Sequence, residues 1–138
     1  MIADARTLVV VADGRRARLL EQSRIDGPLH DRPEWLADVK EHHDHAPPSH
    51  ITHAGDFHDR AEKAFLHGLA KRIDALVAHN AIDQVILVAP PRALGHLRDA
   101  LSTAVAKKVA GADPHERVDA TIITLESVVH AVRFASAA

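Results

Sequence analysis

"TLVVVADGRRARLLEQ", residues 7–22, is the stretch on which the fold turns. Its opening six residues are apolar or β-branched without interruption. That is the pattern of a central strand buried on both faces, since a strand with one wet face alternates polar and apolar positions. Asp13-Gly14 is a turn signal, and residues 17–20 resume a strand, so 7–22 reads as a β-hairpin. Further along, residues 85–89 (VILVA) form a second fully apolar strand. Between the two, Ala61, Phe65, Leu69, Ile73 and Leu76 recur at helical spacing, with Glu62, Lys63, Lys71 and Arg72 on the other side. Asp56 or a neighbour is expected to cap this helix, and Asn80 to end it, because Asn tolerates the left-handed conformation.

Outward from these elements the signals weaken. Gly27-Pro28 breaks the chain, and residues 35–39 (WLADV) read as a weak edge or third strand. Leu94, Leu97, Leu101 and Val105 mark another helix ending before Gly111, and Asp113-Pro114 is a turn. Ile122, Leu125, Val129 and Val132 suggest a last helix, although residues 121–124 (TIIT) also suit a strand. Strands first, then helix–strand–helix, is an α/β layout around a mixed sheet. At 138 residues the chain suits one domain over its whole length.

Composition narrows the function. Hydrophobic residues make up 46% and charged residues 26%, as in ordinary globular proteins. No apolar run approaches the roughly 20 residues of a membrane span. The short apolar stretch near the N-terminus lacks a basic flank, so no secretory leader is expected. With no cysteine there is no disulfide framework, thiolate metal site or cysteine nucleophile. A cytoplasmic location fits these features. Net charge is −2, so any nucleic-acid contact must rest on a local basic patch, because phosphate affinity comes from cations. Aromatic residues are 3%, which argues against a base-stacking platform.

"VAPPRALGHLRDAL", residues 88–101, joins the second apolar strand to a helix. Pro90 and Pro91 lack N–H groups and end the sheet's hydrogen bonding, and Pro91 suits a first helical turn. Arg92 is thereby placed at a helix start on the carboxyl edge of the sheet, the usual ligand side of open α/β sheets. Arg92 and Arg98 offer charge beside free helix-start N–H groups. The alternative is that the prolines only punctuate the chain and Arg92 is solvated.

Residues 42–58 hold six of the twelve histidines. The segment at about 41–57 has no periodicity and contains Pro47-Pro48, so it reads as a long loop. His42, His43, Asp44, His45, His50, His53 and His58 are candidate ligands for zinc or another divalent transition metal, since imidazole is their commonest ligand. No known ligand spacing occurs, and a solvated polar loop is the competing reading.

Three stretches taken together, TLVVVADGRRARLLEQ, DFHDRAEKAFLHGLAKRI and VILVAPPRALGHLRDAL, resemble the bacterial host attachment protein family. That family in turn looks like the middle domain of archaeal and eukaryotic class 1 translation release factors. The resemblance runs from about Thr7 to Val129 and implies an RNase H-like α/β fold. It also implies links to the ribosome or tRNA, for which the hairpin residues Asp13, Arg15, Arg16 and Arg18, with Arg92 and Arg98, are the candidate contacts. Arginine pairs bidentately with phosphate. Release factors carry Gly-Gly-Gln before the long helix. The matching segment here, HHDHAPPSHITHAGDF, has Gly55 alone and no Gln, which puts ester hydrolysis in doubt. Two-metal nuclease chemistry also lacks its carboxylates: the first strand has only Asp13, at its end, and residues 85–89 have none. The expectation is a non-catalytic, release-factor-like module. A metal-binding protein or metal-dependent hydrolase and a homodimeric interaction module are the alternatives.

Overall fold

A computed structural model describes residues 4–39 and 54–137. Five strands form one mixed sheet: β1 (Thr7–Ala12), β2 (Ala17–Gln22), β3 (Leu29–Asp31), β4 (Gln84–Val88) and β5 (Val109–Asp113), in the order β3-β2-β1-β4-β5. β1 to β3 are antiparallel neighbours, whereas β4 runs parallel to β1 and β5 parallel to β4. Among the described residues, four helices flank the sheet: α1 (Ala54–His79), α2 (Pro91–Ala100), α3 (Thr103–Ala106) and α4 (Ile122–Ala137). The mixed α/β architecture matches the sequence expectation.

Every residue of β1 is buried. Leu8, Val10 and Ala12 pack with Phe65, Leu66, Leu69 and Ile73 of α1. Val9 and Val11 point the other way, into a cluster with Leu125 and Val129 of α4. The uninterrupted apolar run thus reflects a strand with helices on both sides. β1 and β4 are adjacent and central, with α1 across them, as the two apolar runs predict.

Several expected elements differ. The third strand is β3, not residues 35–39. Pro33 instead starts a 3₁₀ turn, Pro33–Leu36, which leaves Trp35 half-buried against the α1-side core. The helix expected through Val105 breaks at Leu101, whose backbone is extended. Ser102 then caps α3 by accepting from the Val105 N–H at 3.2 Å. β5 follows, a strand that the sequence pattern does not announce. Residues 121–124 open a helix because Thr121 Oγ1 accepts from the Thr124 N–H at 3.1 Å. α1 begins at Ala54, so residues 54–58, His58 among them, are helical rather than loop. At its other end Asn80 Nδ2 donates back to the Leu76 carbonyl, and the left-handed residue is Ala81 (φ 51°). His42, His43, Asp44, His45, His50 and His53 lie outside the described residues.

Candidate functional site

β1, β4 and β5 end at one edge of the sheet, where Asp13, Pro90 and Asp113 stand. α1 runs back along the sheet, so its N-terminal half reaches the same edge. There Gly14 of the hairpin, Glu62 and Leu66 of α1, Pro90, Arg92 and His96 line a cleft of about 220 Å³. The Glu62 side chain passes directly over the turn at Gly14, where an added Cβ would push it aside. Pro90 is extended and Pro91 opens α2, as expected from the missing N–H groups.

The charged side chains of the cleft are ion-paired. Arg92 Nη2 donates to Asp59 Oδ1, and Arg92 Nε lies 3.9 Å from Glu62 Oε2. The hydrogen bond from Arg92 holds the Asp59 carboxyl below the ordinary carboxylate range. His96 Nε2 is enclosed, 3.9 Å from Asp59 Oδ1, and makes no hydrogen bond among the described residues.

The hairpin tip is similarly engaged. Asp13 Oδ1 accepts from the N–H groups of Arg15 and Arg16, both at 2.7 Å, which closes the turn locally. Arg16 forks onto Asp119, Nη1 to Oδ1 at 3.0 Å and Nη2 to Oδ2 at 3.2 Å. Arg18 is committed more deeply, to Asp31 and to the carbonyls of Val118 and Ala120 at 3.0 and 2.6 Å. At the end of β5, burial pushes the Asp113 carboxyl up, but hydrogen bonds from Arg117 and His115 outweigh it and hold the group low.

The sequence-derived cations therefore divide. Asp13, Arg15, Arg16 and Arg92 share the carboxyl edge. Arg18 faces the sheet and its β3 neighbour, where it ties strand to loop. Arg98 lies six residues along α2 from Arg92, about 9 Å away along the helix axis, and takes no part in the cleft. Among the described residues, no group of three or more His, Asp or Glu side chains is arranged to hold a metal ion.

A second polar cluster, at the amino edge, escaped the sequence reading. Glu21, buried in β2, receives Arg6 on Oε2 and Arg32 on Oε1, the latter at 2.9–3.0 Å. Burial alone would raise the Glu21 carboxyl, yet the hydrogen bonds from Arg6 and Arg32 prevail and lower it. Nearby, Arg133 Nη2 donates to Thr7 Oγ1 at 2.6 Å. The available signal was polar residues, Thr7, Glu21 and Gln22, at strand positions otherwise reserved for apolar side chains.

Fold and edge together define a small α/β protein with an ion-paired cleft at the carboxyl ends of its parallel strands. Over residues 8–129 the chain matches the family model described as "Protein required for attachment to host cells". It belongs to that host attachment family, and the match takes in both halves of the cleft. A comparison with curated proteins finds no match.

Proposed function

We propose that this host attachment family member is a non-catalytic, release-factor-like module that contacts RNA phosphates of the translation machinery, ribosome or tRNA, through the carboxyl edge. The observation that carries this reading is the placement of Arg16 and Arg92. They come from turns far apart in sequence, stand on one edge, and hold their guanidinium groups against carboxylates that are themselves exposed. Side-chain exposure is 77% for Asp119 and 46% for Asp59. Exposed ion pairs contribute little to stability, so a phosphate can take the carboxylate's place, at Arg16 on a fork already oriented for a bidentate acceptor. The missing Gly-Gly-Gln supports binding without ester hydrolysis, and no described helix is long and apolar enough to cross a membrane. A cytoplasmic location is part of the proposal.

Co-sedimentation with ribosomes across a salt series tests it. Binding should fall as salt rises because phosphate contacts release counterions. Substitution of Arg15, Arg16 and Arg92 by Ala should abolish the interaction. A wild-type protein that stays in the supernatant at low salt ends the proposal.

A second reading has its own observation: six histidines between His42 and His58, the last of them carried by α1 toward this same edge. On it the segment binds zinc or another divalent transition metal. Titration calorimetry should then give about one equivalent, with affinity falling as pH drops through about 6.5, where imidazole protonates. Small, evenly shared losses across the six single His→Ala variants would mark adventitious binding instead.

A further inference from the structure

The two faces of the sheet are covered unequally. α1, α2, α3 and the 3₁₀ turn lie on one side, while α4 and the segment leading into it cover the other. α4 turns Leu125 and Val129 inward, but its outer side is not the polar face that a solvent-exposed helix normally carries. Ile123 and Phe134 are each 76% exposed, and they are the exposed large hydrophobic residues among those described. Ser127 and Ala131, both exposed, stand between them. The steps of four, four and three residues place all four on one stripe with no charge in it.

We propose that this stripe is the contact face of a homodimer in which two α4 helices pack antiparallel about a two-fold axis. The stripe is self-complementary in that orientation. One register sets Ile123 against Phe134 of the second copy, and Phe134 against its Ile123. The same register, to within one residue, sets Ser127 against Ala131, where small side chains let the helices approach. An isologous contact requires this reciprocity.

Charge selects the same orientation. Glu126, His130 and Arg133 all lie on the flank of α4 that faces Leu29 and Asp26. Antiparallel pairing about that axis keeps the two charged flanks on the same side and runs them in opposite directions. Glu126 of one copy then comes alongside the exposed His130 of the other, while Arg133, 13% exposed, stays committed within its own subunit. A parallel pair would set each charged flank against the uncharged one and lose this match. Size sets the strength. A helix of this length makes a strip of about 24 Å, which buries less than the roughly 800 Å² per partner of a standard interface. The dimer is therefore in exchange with the monomer and depends on concentration.

Because the chain has no cysteine, introduced thiols report the geometry without background. Sedimentation velocity over about two decades of concentration around 10 μM should show a shift from monomer to dimer. Phe134→Glu, at an exposed site where the fold is unaffected, should raise the dissociation constant about thirtyfold or more. An equal mixture of Ile123→Cys and Phe134→Cys proteins should form a crosslinked heterodimer on mild oxidation. Each alone should crosslink poorly, since like positions are about 16 Å apart along the helices and a disulfide spans Cα atoms up to about 7 Å apart. A variant carrying Arg16→Ala and Arg92→Ala should dimerise normally, which separates this result from RNA binding. A wild-type protein that is monomeric throughout overturns the proposal. So does a Phe134→Glu protein with unchanged dimerisation, or single-cysteine variants that crosslink to themselves as fast as the mixture does.

Discussion

The two ends of the sheet use the same chemical pair, arginine with carboxylate, to opposite effect. At the amino edge Glu21 is 5% exposed and shared by Arg6 and Arg32, and Arg133 reaches inward to Thr7. At the carboxyl edge Arg16 and Arg92 pair in the open, with Asp119 and Asp59. Burial raises the cost of breaking a pair because an orphaned charge inside cannot be rehydrated. An exposed pair can be broken by any competing ion. One edge is fixed, and the other can exchange its partners.

The sharpest test is at Glu21. Replacement by Ala removes the buried acceptor of two guanidinium groups that are themselves 36% and 37% exposed, and should cost about 2 kcal/mol, read as a lower urea midpoint with an unchanged slope. An unchanged midpoint would erase the contrast between the edges.

Acid should reproduce part of that loss. Glu21 has a folded pKa held below its ordinary value of 4.5. The stability it contributes is therefore complete above that value and is lost as pH falls through the lower, folded one. Urea midpoints between neutral and strongly acidic pH should decline in this range for the wild type, and less steeply for Glu21→Gln. Parallel acid limbs would assign the decline to other carboxylates.

Arg133→Met keeps the aliphatic stem but removes the donor to Thr7, so about 1–2 kcal/mol should be lost, again by urea unfolding. Smallest of all, Arg16→Ala and Arg92→Ala should leave the unfolding midpoint within error of the wild type while changing salt-dependent binding. A clear stability loss in either would mean that the carboxyl edge is structural too.

Which parts were legible in the sequence follows from which forces act locally. β1 and β4 declared themselves because a strand covered on both faces has no room for polar residues. α1 did so through the spacing of Phe65, Leu69 and Ile73. The Pro-Pro turn was legible because a missing N–H acts on its own neighbours. β5 was not, since its sequence VAGAD has low β-propensity and its strand character comes from pairing with β4. Residues 35–39 misled in the opposite sense, because Trp and Val favour strands but Pro33 sets a tight helical turn first. The edge was legible as a set of cations, not as a set of pairs. Arg16 and Asp119 are 103 positions apart, and no local pattern announces such a bond. The Arg6–Glu21–Arg32 cluster was hidden at shorter range, 15 and 11 positions, because its members meet only once the hairpin and β3 have assembled.

The parallel pairing of β1 with β4 also sets an order of events during synthesis. Thr7 lies beside Gln84 and Val11 beside Val88, so the most apolar strand of the chain is made first and must wait for its neighbour. The β1–β2 hairpin closes locally and can form early, as short-range contacts do. Until β4 leaves the ribosome, however, the other edge of β1 stays open, and its α4-facing side stays bare until α4 follows. A nascent chain stalled between α1 and β4 would thus display a hydrophobic edge strand, the kind of surface that recruits chaperones or aggregates.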